Sequence, residues 1–455
     1  MESNSLSSKE KKISVKNAFR FGDLPTRLSS IFMGLGLFCH KQRIKGILVF
    51  MFEIAFIFFM AETGVSNLGR FFRLGGQAQH KVYDEENGIY IYTKGDNSLL
   101  MLLFGVLTIF IIAAIVLLWV LQLKHSYKCQ VMEEDGLKVP SFKEDIINLK
   151  DKNLHISLMS LPCLGILIFN IIPLVFMISM AFTTYSIEGK HLVLFNWNGL
   201  KQFARVLNMK GSIGRQFWSV LAWTIIWAIF ATFLNYILGM ILAIVINRKD
   251  THCKAFWRFC FVLSIAVPQF VSLMIMNTML QPNGAINVLL EEAGLISKPL
   301  PFLTNAMWAR VTVILINLWV GIPYTMLQVT GVLQNIPSEL NEAAKVDGAG
   351  PVTIFFKITL PYMLFVTTPY LITSFCGNIN NFNVIYLLSG GGPTKVGDTA
   401  GQTDLLVTWL FKLTINQQYY NIGAVIGIFT FVILTIVTLI TYRHSGSYKD
   451  EEAFR

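Results

Sequence analysis

The 455-residue chain is 54% hydrophobic and only 14% charged, whereas charged residues average about 25% of an ordinary soluble domain. So few charges cannot cover the surface of a soluble protein this size, and the apolar residues gather in runs of about 20, the length at which a helix crosses roughly 30 Å of hydrocarbon. The net charge of +10 sits in short stretches beside those runs, where it reads as a topology signal and not as a nucleic-acid surface.

Residues 1–45 form a basic tail, in which the run LSSIFMGLGLFC (28–39) is too short to cross and is expected at the interface. Long uncharged runs then predict eight spans, near 46–62, 99–123, 157–182, 217–246, 259–280, 311–333, 362–389 and 421–442. The first ends in MAETG without an A-x-A cleavage site and reads as a retained span, not a signal peptide. In the following loop, Asn87-Gly88 suits either a small hairpin turn or a solvated loop. The fold class is all-α: a polytopic membrane protein with about eight transmembrane helices. Its sections are a tail (1–45), two spans with their loops (46–156), six further spans (157–442) and a second tail (443–455).

An even number of spans puts both termini on one side. Lys and Arg total 24 in the segments of that side against 13 opposite, which places both termini in the cytoplasm. The six cysteines include no CxxC pair and scatter over tails and spans, which argues against a metal site or a disulfide framework.

The six spans from residue 157 onward carry no Asp, Glu, Lys, Arg or His in their interiors, and Ile358 to Thr394 is free of charge altogether. Carriers that move protons or ions need ionisable groups inside the bilayer. Here only Glu53, in the first span, is available, as a helix-contact residue or as a proton relay.

Uncharged polar groups are dense in one place. SFCGNINNFNVIYLLSGGGP holds Ser374, Asn378, Asn380, Asn381 and Asn383 within ten residues. Spacings of four and three place Ser374, Asn378 and Asn381 on one helical face. Asn317, Gly321 and Tyr324 share helical spacing in the sixth span, and Gln269 follows Pro268 in the fifth. Carboxamides are costly against lipid, so they either bond helix to helix or line a wet cavity. Beside Trp319, Tyr324, Phe375 and Phe382, the set suits a pathway for a neutral, hydroxyl-rich molecule, with amides for hydroxyls and aromatic faces for sugar C–H faces.

The segment 335–361, on the predicted cytoplasmic side, reads as two short helices. Pro337 fits a first turn, and Glu339 and Glu342 suit the positive end of the dipole. Gly348 allows the left-handed stop, and a second helix starts at Pro351 and ends at Pro361. With its apolar residues such a unit suits a groove on a partner protein, or simply an interfacial hairpin.

The residues Glu342-Ala343-Ala344, then three residues, Gly348, nine residues, Ile358, one residue and Leu360-Pro361 resemble the EAA loop of the membrane subunits of bacterial binding-protein-dependent ABC importers. From about 157 to 442 the chain is similar to carbohydrate permeases, especially the maltose/maltodextrin F type. AVPQFVS, NLWVGIPY and NNFNVIYLLSGGGPT carry this likeness, and the two extra N-terminal spans also look like that subtype. The resemblance implies a six-span MetI-like core. It implies coupling to an ATPase subunit through Glu342, Ala343, Ala344, Asp347, Gly348, Ile358, Leu360 and Pro361. It also implies sugar contacts at Gln269, Asn317, Gly321, Tyr324, Ser374, Asn378 and Asn381. Two features depart from the maltose type: only about residues 183–216 stand where some members carry a large external domain, and Ile265 and Gly377 stand where aromatic residues are usual.

No GxxxxGK[ST] loop occurs in the sequence, so the chain has no visible cradle for ATP phosphates. It is expected not to be an enzyme and to need no cofactor, with ATP hydrolysed by a partner. The resemblance implies two ATPase subunits, a second permease subunit and an external sugar-binding protein around a chain set in the bacterial cell membrane. A stand-alone secondary transporter is the reading from another class, with other neutral glycans such as galacto-oligosaccharides or raffinose-type sugars as rival substrates.

Overall fold

The computed structural model describes residues 13–84, 89–92, 95–248 and 250–443. Among them, seven helices are long and apolar enough to cross a membrane, and a bent pair makes an eighth. The Asn87-Gly88 turn lies outside the described residues. The strands that flank it, Lys81–Asp84 and Ile89–Tyr92, pair antiparallel with Asp84 opposite Ile89.

The chain divides into two compact units, Met1–Asn198 and Gly199–Arg455. The first holds the spans Arg43–Arg73, Ser98–Glu134 and Leu154–Met180; the short helix Leu35–Cys39, within the 28–39 run, precedes the first of them, and Phe142–Lys150 lies between the second and third. Glu53 in the first span accepts the backbone N–H of Met33, in the turn before Leu35–Cys39, at 2.8 Å. His40, 6% exposed, bonds Glu133 at 2.7 Å and Thr26 at 3.2 Å, tying the N-terminal segment to the second span.

In the second unit the fourth span, Ser212–Asn247, packs against the sixth, Ala306–Gln334, and the seventh, Pro351–Ser389. Two apolar layers fill the space between them. One gathers Trp223, Trp227, Leu273, Val313, Ile385 and Leu405; the other gathers Tyr236, Met240, Ile246, Met326, Val329 and Met363. Small residues let the backbones approach: a Cβ on Gly239 would sit 2.6 Å from Thr325.

Prolines and amides bend this unit where uniform apolar runs predict straight crossings. The fifth span is two helices, Lys254–Ala266 and Gln269–Met279, at 84°. Pro268 offers no N–H and forces Val267 extended (φ −77°, ψ 125°). Pro361, expected to end a short helix, does not. The helix runs on because Phe355–Thr359 forms a π-turn, in which the Leu360 N–H reaches the Phe355 carbonyl, just ahead of the proline that lacks a donor. The seventh span breaks instead at Asn380, where Asn381 caps a new helix, Phe382–Ser389.

Residues 390–419 fold back over the end of this bundle. Trp223 Nε1 donates to the Thr403 carbonyl (3.2 Å), Arg310 Nε donates to that of Gln402 (2.9 Å), and Gln216 Oε1 accepts from Thr399 and Ala400. Inside the segment, fully buried Asp404 accepts from Lys412 Nζ at 2.6 Å, the Gly401 N–H at 2.7 Å and Thr408 Oγ1 at 2.9 Å.

Candidate functional site

A small cavity of about 110 Å³ lies between three spans of the second unit. Its polar lining comes from Thr232, Asn235 and Tyr236 on the fourth span, Tyr324 and Thr325 with Gly321 on the sixth, and Tyr370, Ser374 and Asn378 on the seventh. All of these groups are neutral. They hold one another in place: Asn378 Nδ2 donates to Thr232 Oγ1 (3.0 Å), the Tyr236 hydroxyl meets Thr367 Oγ1 (2.7 Å), and Thr325 Oγ1 meets the Tyr370 hydroxyl (3.2 Å). Trp227, fully buried, donates its indole N–H at 3.0 Å to the Asn378 carbonyl, which also accepts the Asn381 N–H at 3.2 Å.

Four of the seven residues singled out from the sequence, Gly321, Tyr324, Ser374 and Asn378, line this cavity. The other three do not. Asn381 was placed on the Ser374/Asn378 face by helical spacing, but the helix breaks before it. Its Oδ1 accepts the Val384 N–H (3.2 Å) as a cap, and its Nδ2 reaches Asn378 Oδ1 (3.4 Å). Gln269 is half-buried at the start of the second half of the fifth span. Asn317, 5% exposed, stands one turn before Gly321 with its Nδ2 unpartnered. Of the four aromatic residues read as sugar platforms, only Tyr324 lines the cavity. Trp319 is exposed, Phe375 lies in a separate apolar pocket, and Phe382 stacks on Tyr386 with ring centres 4.8 Å apart.

The fourth span supplies three lining groups that the sequence reading passed over. Thr232, Asn235 and Tyr236 were legible as polar positions at helical spacing in an apolar run, but nothing local tells which neighbour they face.

The segment 335–361 is built from local chemistry. The helix Ser338–Val346 ends on Asp347, and Gly348 takes φ +78°, a left-handed value that glycine alone adopts without strain. The Gly348 N–H bonds the Lys345 carbonyl (3.0 Å) and the Ala349 N–H bonds that of Ala344 (2.9 Å), the paired bonds of a Schellman stop. The Ala344-to-Gly348 spacing is thus the geometry of that stop. Ile336, Phe355 and Leu360 turn inward onto the Met326/Met363 layer. Val346, Val352 and Phe356 face outward, 88%, 69% and 60% exposed.

Residues 235–447 match the model of the binding-protein-dependent transport system inner membrane component family, and the chain belongs to that family. It is 36% identical to the galactooligosaccharides transport system permease protein GanP of Bacillus subtilis, over 93% of this chain and 98% of that one. It is 34% identical to the maltodextrin transport system permease protein MdxF of the same organism, over 93% and 96%. Among solved structures, a bacterial alginate ABC transporter in complex with an alginate pentasaccharide-bound periplasmic protein matches with a TM-score of 0.53 at 21% identity, over 66% of this chain and 96% of that one. That likeness shows the shared fold: an all-α, multi-pass permease architecture.

Proposed function

We propose that the chain is the translocation subunit of an ATP-driven importer for a neutral oligosaccharide, maltodextrin or galacto-oligosaccharide in kind. The observation that carries this reading is the uncharged cavity of hydroxyls and carboxamides between the fourth, sixth and seventh spans. Such groups match the donors and acceptors of a sugar and offer nothing to neutralise an ion. The two relatives are named for transport of galactooligosaccharides and of maltodextrin, both neutral glycans, which supports the class and leaves the sugar to assay. Membership of a binding-protein-dependent family speaks against a carrier acting alone.

At about 110 Å³ the cavity falls below the roughly 300–1,000 Å³ of complete ligand pockets. It is one wall of a pathway, which a second permease subunit completes or a change of state widens. The outward-facing Val346, Val352 and Phe356 and the rigid stop at Gly348 fit an insert into a groove on an ATPase subunit. Closing of the ATPase would then move the sixth and seventh spans between two packings. With that loop cytoplasmic, both termini lie inside and residues 390–419 face an external sugar-binding protein.

Replacing Asn378 with Leu tests the cavity. The complex, reconstituted with its ATPase and binding protein, should need at least tenfold more maltotriose or β-linked galactotriose for half-maximal uptake. Unchanged sugar dependence would return Asn378 to holding helices together. Uptake by this chain alone, without nucleotide, would refute the importer reading.

A further inference from the structure

We propose that the carboxamide oxygen of Asn235, on the fourth span, accepts a hydrogen bond from one hydroxyl of the passing sugar and so selects among sugars. This rests on the reading of the cavity as part of a sugar pathway.

Asn235 is 9% exposed and lines the cavity with Tyr324, Ser374 and Asn378. Its Nδ2 donates to the Ala231 carbonyl one turn back, at 2.7 Å. A carbonyl only accepts, so this bond decides which end of the amide is nitrogen. The oxygen is thereby left facing away from its own helix, buried and without a partner. Two neighbouring donors are turned to other partners, Asn378 Nδ2 to Thr232 and the Tyr236 hydroxyl to Thr367. No group of the cavity wall donates to Asn235 Oδ1, so a hydroxyl entering the cavity meets a ready acceptor.

Gly321 makes room for this arrangement. A Cβ there would lie 2.4 Å from Asn235 Nδ2 and 2.7 Å from Oδ1, so any side chain at 321 pushes the carboxamide off its bond to Ala231. The glycine in the sixth span and the asparagine in the fourth therefore form one device. A solute bearing a hydroxyl at the right position satisfies the acceptor. One lacking it leaves the acceptor orphaned, and sites of this kind discriminate strongly against the deoxy analogue.

The experiment compares the parent trisaccharide, maltotriose or galactotriose, with its monodeoxy derivatives, in the full complex with its binding protein. Ratios between the wild type and a variant cancel the binding protein's own preference. For the wild type, removing one particular hydroxyl should cut uptake at least tenfold. In Asn235→Leu, uptake of the parent sugar should fall about as much, and that deoxy position should cease to matter. Should Asn235→Leu fail to co-purify with its partners, Gly321→Ala displaces the carboxamide without removing a polar atom, and it should blunt the same deoxy position. Discrimination that survives Asn235→Leu or Gly321→Ala overturns the proposal. If Asn378→Leu still alters sugar dependence in that case, the pathway reading stands and only Asn235 is excluded. If Asn378→Leu is also silent, the pathway reading fails with it.

Discussion

Lys412→Met isolates the buried charge that anchors the 390–419 segment. Asp404 is fully buried and Lys412 is 15% exposed at the side chain, with nitrogen and carboxylate oxygen 2.6 Å apart. Removing one partner from such a pair costs about 3 kcal/mol or more, because the other charge stays behind in low dielectric. For a unit of this size that is about 6–12 °C in melting temperature. The pH dependence has a definite sign. Burial pushes the Asp404 carboxyl above its ordinary 3.8, and Lys412, Gly401 and Thr408 pull it back only in part. A folded-state value above the unfolded one means that stability linked to this group is complete below pH 3.8 and is lost as pH rises through the raised value. Without Lys412 the value rises further, so the deficit of Lys412→Met should be largest at neutral pH and shrink on acidification as Asp404 takes up a proton. Adding Asp404→Asn, which removes the stranded charge, should recover most of the loss. The assay is thermal unfolding of the detergent-purified complex at several pH values. A single variant that melts with the wild type, a deficit that grows on acidification, or a double variant no better than the single would each refute the reasoning.

Two further outcomes concern the functional elements. Glu342→Lys or Gly348→Asp should leave the protein in the membrane and abolish uptake, since the first reverses a charge on the exposed helix Ser338–Val346 and the second strains the left-handed stop; membrane fractionation with an uptake assay checks this, and normal transport by both would exclude the proposed coupling role. Asn381→Ala should cost about 1 kcal/mol through the lost cap on Phe382–Ser389, while Asn381→Ser, which can still cap, should keep sugar uptake near wild type; a selective loss of sugar dependence in Asn381→Ser would instead place that side chain in the pathway.

The membrane class was legible because hydrocarbon thickness and the cost of burying charge act on composition and run length alone. The 335–361 motif was legible for a related reason: a Schellman stop is made within one turn, so the spacing from Ala344 to Gly348 carries its own geometry. Neither depends on a distant contact. The bends do. Pro268 breaks its span by 84° while Pro361 is absorbed by a π-turn, and the same residue type gives opposite results according to what the neighbouring backbone can rearrange. Helical spacing grouped Ser374, Asn378 and Asn381 only on the assumption of an unbroken helix, and the break at Asn380 turned the last of them into a cap. The sequence determined by itself that this is a membrane-spanning chain with six later spans free of charge in their interiors and a stiff glycine-stopped loop. Tertiary structure alone decided which amides share a cavity and which merely join helices, including the unheralded Asn235. A carboxamide's role depends on what stands opposite its second polar atom, and packing sets that: Thr232 of the fourth span for Asn378, the cavity for Asn235.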